Sequence, residues 1–344
     1  MSTDEAYHLL AKKSRNENSE LVLNILKKAM TPEEAAFLVE LPAENADLAA
    51  KFNMDEDAVK DKLDEFMRRG LAVPTRKGIR FPSALAYLHE IMLSSDPELI
   101  PPELPDLWKE LYEKKWREEC GEGLSQMEAP ILRVMPAYKS VPEGTELMPW
   151  ENMKAIVEAS KSRSIRNCAC RTMVRDCDSS AHNCMQFNKR ADYAVSRGGG
   201  KEMTVEEIIN NCLAAEDDGL IPMVGNISLM KSMDYICYCC SCCCTGLDPL
   251  KRIDNIPAGF AKSRFIASND QETCSGCQVC VDRCHFDAIE MVKVEGSKKL
   301  KAEIDREKCF GCGLCVIKCE SDSITMELVR PLDHIPRENA TVMS

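Results

Sequence analysis

The sequence predicts an α+β protein: mainly helical N-terminal and middle regions, followed by a C-terminal module built on short strands. Three observations predict it. Apolar residues recur at helical spacing between 19 and 69, punctuated by capping residues. A second well-marked helix lies between 204 and 219. Short apolar stretches, Phe265-Ile-Ala and Ala288-Ile-Glu-Met, bracket a cysteine run that recurs further on. The expected organisation is a polar segment over 1–18, a helical domain over 19–82, a helical cysteine-rich middle over 83–260, a duplicated module over 261–330 and a tail over 331–344.

The first 18 residues are polar and read as loosely ordered. From Ser19, Leu21, Ile25 and Ala29 recur every four residues with Leu26 and Met30 beside them. Thr31-Pro-Glu-Glu reads as a helix start, with Pro32 at the first helical position. Asn45 is placed to cap a short helix over 46–51. A third helix over 55–69 turns Val59, Leu63 and Phe66 inward and meets Gly70 at its end. Leu71-Ala-Val-Pro and Gly78-Ile-Arg-Phe read as strands around the turn Thr75-Arg-Lys-Gly.

Three helices and a small hairpin over 19–82 resemble a winged-helix domain. That resemblance implies DNA binding through the third helix. Asp55, Glu56, Asp57, Asp61, Asp64 and Glu65 make that helix acidic and repel phosphate, whereas Arg68, Arg69, Arg76, Lys77 and Arg80 leave a basic patch near the hairpin. We therefore read the segment as structural or protein-docking.

Residues 83–130 read as helices broken by proline, notably Pro101-Pro-Glu-Leu-Pro. Trp108, Tyr112 and Trp116 stand four apart in an amphipathic stretch and are expected in a core. Ile131-Leu-Arg-Val-Met-Pro reads as a strand, and 151–166 as a helix leading into the first cysteine group. Thr204 and Glu207 form a capping box ahead of Ile208, Ile209, Leu213 and Ala214, and Gly219 ends the helix. Arg197-Gly-Gly-Gly-Lys201 lacks the spacing of a phosphate-binding loop and no clear strand precedes it, so it reads as a plain loop.

Composition narrows the function. Twenty cysteines in 344 residues imply either a disulfide framework or metal binding. The N-terminus has acidic residues and no apolar core, so it does not read as a signal peptide, and no apolar run approaches the length of a membrane span. The expectation is a cytoplasmic chain whose cysteines are thiols or thiolates, best preserved by metal. A net charge of −12 disfavours broad nucleic-acid binding and docking on anionic lipid.

Cys274-Ser-Gly-Cys277-Gln-Val-Cys280-Val-Asp-Arg-Cys284 has C-x2-C-x2-C-x3-C spacing, and Cys309-Phe-Gly-Cys312-Gly-Leu-Cys315-Val-Ile-Lys-Cys319 repeats it. The likeness extends outward: Gly276 matches Gly311, Val281 matches Val316, Asp287 matches Asp322, Ile289 matches Ile324 and Met291 matches Met326. Three close cysteines can wrap three corners of a cubane, and the fourth corner must be reached from elsewhere. Val279, Val281, Ile289, Leu314, Val316 and Ile324 can shield such a group from water. Paired C-x2-C motifs also bind zinc, which is the competing reading.

The module resembles the bacterial two-cluster ferredoxin family. The resemblance implies two [4Fe–4S] clusters, in which the last cysteine of each run crosses to the other cluster. One cluster would take Cys274, Cys277, Cys280 and Cys319, and the other Cys309, Cys312, Cys315 and Cys284. His285 and Glu320 stand where the family usually has proline. The linker between repeats is long and basic, with Lys293, Lys298, Lys299, Lys301, Arg306 and Lys308, and reads as an extended hairpin and a partner-docking edge.

The middle holds two further groups. Cys168, Cys170, Cys177 and Cys184 form C-x-C-x6-C-x6-C, and Cys237, Cys239, Cys240, Cys242, Cys243 and Cys244 crowd eight positions. Unligated, such thiols are an oxidation liability. One or two additional [4Fe–4S] clusters are the favoured expectation: one on Cys168, Cys170, Cys177 and Cys184, the other on four of the six later cysteines, or a mixture of the two. Zinc or a redox-active dithiol competes. Arg163, Arg166, Arg171 and Arg175 flank the first group and can offset cluster charge; His182 is a bystander, and Cys120 and Cys212 read as buried structural thiols.

Arg166-Asn-Cys168-Ala-Cys170-Arg171, the 237–244 segment and the C-terminal pair together resemble a group of anaerobe iron–sulfur proteins over roughly 130–330. The resemblance implies electron transfer in anaerobic metabolism with a partner redox protein and supplies no substrate. The expected function is an electron carrier or oxidoreductase subunit. A redox- or iron-responsive DNA-binding regulator, and a reductase working at the middle cysteines, are the alternatives. No paired acid–base residues or cofactor loop support the reductase, and no catalytic residue is named.

Overall fold

Ser19, Thr31 and Asp55 each stand one residue before a helix and accept a backbone N–H from its first turn: Val22, Glu34 and Ala58. The Glu34 carboxylate returns a bond to the Thr31 N–H at 2.8 Å, completing a capping box. These caps start the helices Glu20–Ala29, Pro32–Val39 and Glu56–Arg68. Helix Asn45–Phe52 differs from expectation: Asn45 is already helical, and Glu44 precedes it without a side-chain cap. The polar start of the chain is also helical over Thr3–Lys13. Its Ala6, Tyr7, Leu10 and Ala11 make one apolar stripe that is buried, and the Tyr7 hydroxyl donates to the Met30 carbonyl at 2.9 Å.

The computed structural model describes residues 3–226 and 234–335; the end of the expected tail, 336–344, lies outside the described residues. The chain is a mixed α+β protein that divides into two compact units. The first comprises Met1–Arg117, Arg166–Asp176 and Tyr193–Lys201. It contains the whole of 19–82, including a hairpin of Val73–Thr75 with Gly78–Arg80. Trp108, Tyr112 and Trp116 are buried as expected, the last two inside a π-helical turn, Tyr112–Trp116. His89 lies edge-on to both tryptophans, with ring centroids 5.4 and 5.0 Å away. Arg197 is fully buried and donates to the Ile91 carbonyl, the Ser94 carbonyl and the Ser94 hydroxyl.

The second unit comprises Glu118–Ile165, Cys177–Asp192 and Glu202–Ser344. Five of its strands lie side by side in the order His182–Phe187, Tyr235–Cys239, Ile221–Gly225, Leu132–Val134 and Phe260–Ala261. The first four pair antiparallel, with Cys184 opposite Cys237, Ile221 opposite Cys239 and Leu132 opposite Gly225; the last pairs parallel. Only Leu132–Val134 was expected. Ile221–Gly225 is buried at every position, so it shows no alternation, and Pro222 and Gly225 read as breakers. The helix expected over 151–166 ends early. Asn152 caps helix Met153–Ala159, Ser160 turns extended, and Arg163–Asn167 is a strand. The Thr204–Glu207 capping box starts helix Val205–Asp217 as expected.

The C-terminal segment is β-rich. Phe265–Asn269 pairs antiparallel with Ile324–Leu328, placing Phe265 opposite Leu328. The basic linker is the expected hairpin, Ile289–Lys293 with Leu300–Ile304. The duplication shows in the backbone: Gly276 and Gly311, Gln278 and Gly313, and Asp287 and Asp322 are pairwise left-handed. Phe286 and Phe310 stack with centroids 4.3 Å apart over a core of Val134, Met223, Leu250 and Leu314.

Candidate metal centres

The two cysteine runs of the C-terminal segment surround two separate cavities. Cys274, Cys277 and Cys280 line one, and its fourth thiol is Cys319 from the second run. Cys309, Cys312 and Cys315 line the other, with Cys284 from the first run. Each loop must close tightly to aim three thiols at one point. Gly276 and Gly311 supply the left-handed turns, and a Cβ at either would overlap backbone, on Leu300 and Phe265 respectively.

The remaining lining differs between the two: Ala288, Ile289, Ile304 and Phe310 make one mostly apolar, whereas the other mixes Met291, Ala302 and Ile324 with Ser275, Gln278, Lys318, Ser321 and Ser323. Ile289, Leu314 and Ile324 are buried as expected, and Val281 and Val316 are half-buried. Val279 is 39% exposed and lines a surface groove with Asp282, Lys318, Cys319 and Glu320.

Among the described residues no cysteine is joined in a disulfide. Burial pushes Cys280 up to about 11 and holds Cys284, Cys312 and Cys315 above the ordinary thiol range. Cys319 goes the other way: burial works upward, but the Ser323 and Ser321 hydroxyls outweigh it and favour the thiolate. Ser323 Oγ lies 3.2 Å from its sulfur. Four thiols converging on one cavity supply the donor set of an iron–sulfur cluster and give up their protons on binding it, so each cavity fits one.

The two cavities differ in access. Cys277 is exposed, whereas Cys309 and Cys315 are buried and the Phe286–Phe310 stack lies beside them. Lys299 and Lys301 of the basic hairpin donate to the carbonyls of Ser275 and Cys274, tying it to the first cysteine loop. His285, one of the two departures from proline, accepts the Ser241 N–H on Nδ1 at 3.3 Å and places Nε2 2.7 Å from the Gly219 carbonyl.

The middle cysteines fall into different company from their sequence runs. Among the described residues, the sulfurs of Cys177, Cys240, Cys242 and Cys243 all lie within 4.8 Å of one another. Burial and the adjoining Cys240 thiol push Cys242 up to about 12. Cys239 is hydrogen-bonded to both Cys237 and Cys244, and those neighbours together with burial hold it far above the thiol range. Cys184 stands opposite Cys237 on the neighbouring strand, so its side chain shares a sheet face with Cys237 and Cys239. Cys168 and Cys170 belong to the other unit, where Cys170 lies near the buried His89.

Of the flanking arginines, Arg166 is buried and pairs with Glu90 and Ser94, Arg171 is buried, Arg163 is half-buried, and Arg175 is exposed and pairs with Asp106. His182 is exposed. Cys212 is fully buried, and burial pushes it up to about 12; Cys120 is half-buried.

A buried carboxyl that sequence reasoning passed over sits in the same unit. Glu216 accepts the Tyr138 N–H at 2.9 Å and the Tyr238 hydroxyl at 3.2 Å. Burial outweighs both bonds and raises it to about 7. Its only sequence signal was position, facing inward on helix Val205–Asp217 four residues after Cys212.

Residues 273–323 match the family described as a 4Fe–4S dicluster domain. No curated protein and no solved structure matches the chain. The C-terminal segment is therefore an iron–sulfur domain of ferredoxin type. A domain of that class is consistent with an electron carrier or an oxidoreductase subunit rather than a stand-alone enzyme. No helix among the described residues is long and apolar enough to cross a membrane.

Proposed function

We propose that this chain is an electron carrier, or the carrier subunit of a larger oxidoreductase, holding two [4Fe–4S] clusters in its C-terminal domain. Cys274, Cys277, Cys280 and Cys319 would hold one cluster and Cys309, Cys312, Cys315 and Cys284 the other. One observation carries this reading: each cavity is lined by three thiols of one run and the fourth thiol of the other. When bound, each cluster takes up and releases a single electron.

The chain's own residues set the conditions for that exchange. Apolar side chains, chiefly Ile289, Ile304 and Phe310, line the second site. Exposed Cys277 and the groove beside Cys319 offer a partner access to the first site, and the basic hairpin bearing Lys299 and Lys301 adjoins it. The second site is deeper and suits onward transfer within the protein. The three helices and hairpin of 19–82 are read as winged-helix-like and as a protein-docking element. Two of their arginines are spent internally: Arg69 pairs with Glu34 and Glu65, and Arg68 with Asp96. That weakens the basic patch a DNA reader needs. The resemblance of the cysteine segments supports a role in anaerobic metabolism with a redox partner protein, and the thiol-rich composition supports a reducing, cytoplasmic setting.

The test is anaerobic purification, iron and sulfide counts, and low-temperature EPR after reduction. About eight irons are expected in the C-terminal domain. Cys319→Ser is expected to disturb the cluster held by the first run, and Cys284→Ser the one held by the second. Each variant should lose about half of those irons. If each change instead disturbed the cluster of its own run, the crossed assignment fails. Oxygen-free protein without iron would end the proposal.

A further inference from the structure

Four middle cysteines stand closer together than a cubane requires. Cys177 Sγ lies 3.8 Å from Cys240 Sγ and 3.7 Å from Cys243 Sγ, and Cys242 Sγ lies 3.7 Å from Cys243 Sγ. These are not disulfides, whose sulfurs approach to about 2.05 Å. They match another geometry. Four thiolates bound tetrahedrally to one ion at about 2.3 Å have sulfur–sulfur edges of about 3.8 Å. On a cubane each thiolate binds a different iron, so the iron–iron separation is added and the sulfurs must spread further. The full set, all within 4.8 Å, leaves no room for that.

We infer that Cys177, Cys240, Cys242 and Cys243 hold a single zinc ion, a site separate from the two ferredoxin clusters. The local chain is built for it. Cys240 and Cys243 are buried and Cys177 and Cys242 half-buried, so the donors enclose the ion and leave no open position. The turn that presents three of them is fixed at both ends. Cys240 directly follows the paired strand Tyr235–Cys239, and the Cys244 N–H bonds back to the Cys240 carbonyl at 3.3 Å. A closed four-thiolate shell is the mark of a structural zinc. Binding releases thiol protons to solvent and moves no electron, so no oxidant or reductant is needed.

The consequence is mechanical. The ion pins the loop bearing Cys177 to the turn over 240–244. Ser241 in that turn donates to His285, the residue next to Cys284 in the second ferredoxin cavity. The zinc turn and the second ferredoxin loop are thereby joined through one side-chain hydrogen bond. Cys184, Cys237, Cys239 and Cys244 remain outside this site.

The test uses the full chain, purified without oxygen or added metal. One zinc per chain is expected alongside the iron, and zinc-edge X-ray absorption of the unmodified protein should show four sulfurs at about 2.3 Å. Cys240→Ser combined with Cys243→Ser should lower zinc occupancy at least tenfold, while iron content and the reduced EPR signal stay as before. Absence of zinc from the unmodified chain overturns the inference, as do nitrogen or oxygen neighbours at the zinc edge. So does a variant that keeps its zinc, or one that loses a lone iron or a cubane's complement of iron and sulfide instead. The absorption experiment decides the matter even where the double variant fails to fold, and it does not depend on the electron-transfer reading.

Discussion

Replacing Glu216 with glutamine should remove a specific pH dependence from the stability of this protein. The carboxyl is about 1% exposed and faces Tyr138 and Tyr238. Both donors favour the carboxylate, but the cost of burying its charge is larger, and the net effect raises the group from 4.5 to about 7. At about 1.4 kcal/mol per tenfold change in proton affinity, that gap corresponds to about 3 kcal/mol.

The sign follows from which state holds the proton. Below about pH 4.5 both folded and unfolded chains are protonated here, and the folded state carries no penalty. As pH rises, the unfolded chain ionises first while the folded chain keeps its proton, so stability falls until the pH passes about 7 and then levels. About 2.5 kcal/mol of this loss falls between pH 5 and pH 8. Glu216→Gln keeps the shape and cannot ionise. Anaerobic urea unfolding of both proteins, followed by circular dichroism at each pH, should show the variant gaining on the wild type by that amount. A constant difference between the two across this range would refute the buried, protonated carboxyl.

Gly311→Ala should be more damaging than its size implies. The residue is left-handed, which costs an alanine about 1–2 kcal/mol, and the added Cβ overlaps the Phe265 carbonyl of a paired strand. Iron analysis should show loss of about half the C-terminal complement; full iron would contradict the loop geometry. Glu151→Leu leaves the Arg264 guanidinium buried without its partner at 2.6 Å. Unfolding stability should fall by about 3–5 kcal/mol, and an effect below about 1 kcal/mol would show that water reaches the arginine.

The parts of this protein legible from sequence are those where the interactions are local. Thr31 starts a helix where expected, closed by a box with Glu34, and the Thr204–Glu207 box forms as read; both close within four residues. The aromatic trio 108, 112 and 116 turned inward for the same reason: helical spacing alone puts all three on one face. The cysteine repeats were legible because a loop gripping a compact group imposes its spacing on neighbouring residues, and the matching domain, 273–323, spans both runs.

Tertiary structure decided what depends on distant partners. Cys177 leaves its sequence neighbours to join Cys240, Cys242 and Cys243, and no spacing rule links positions 63 or more residues apart. The sheet of the middle region was hidden because Ile221–Gly225 is buried on both faces and carries a proline and a glycine. Glu216 acquired its proton affinity, and His285 its partner Ser241, only when separate elements packed together. Residue identity supplied the thiols and the caps; the low-dielectric packing of remote segments determined which thiols share a site and which buried group keeps its proton.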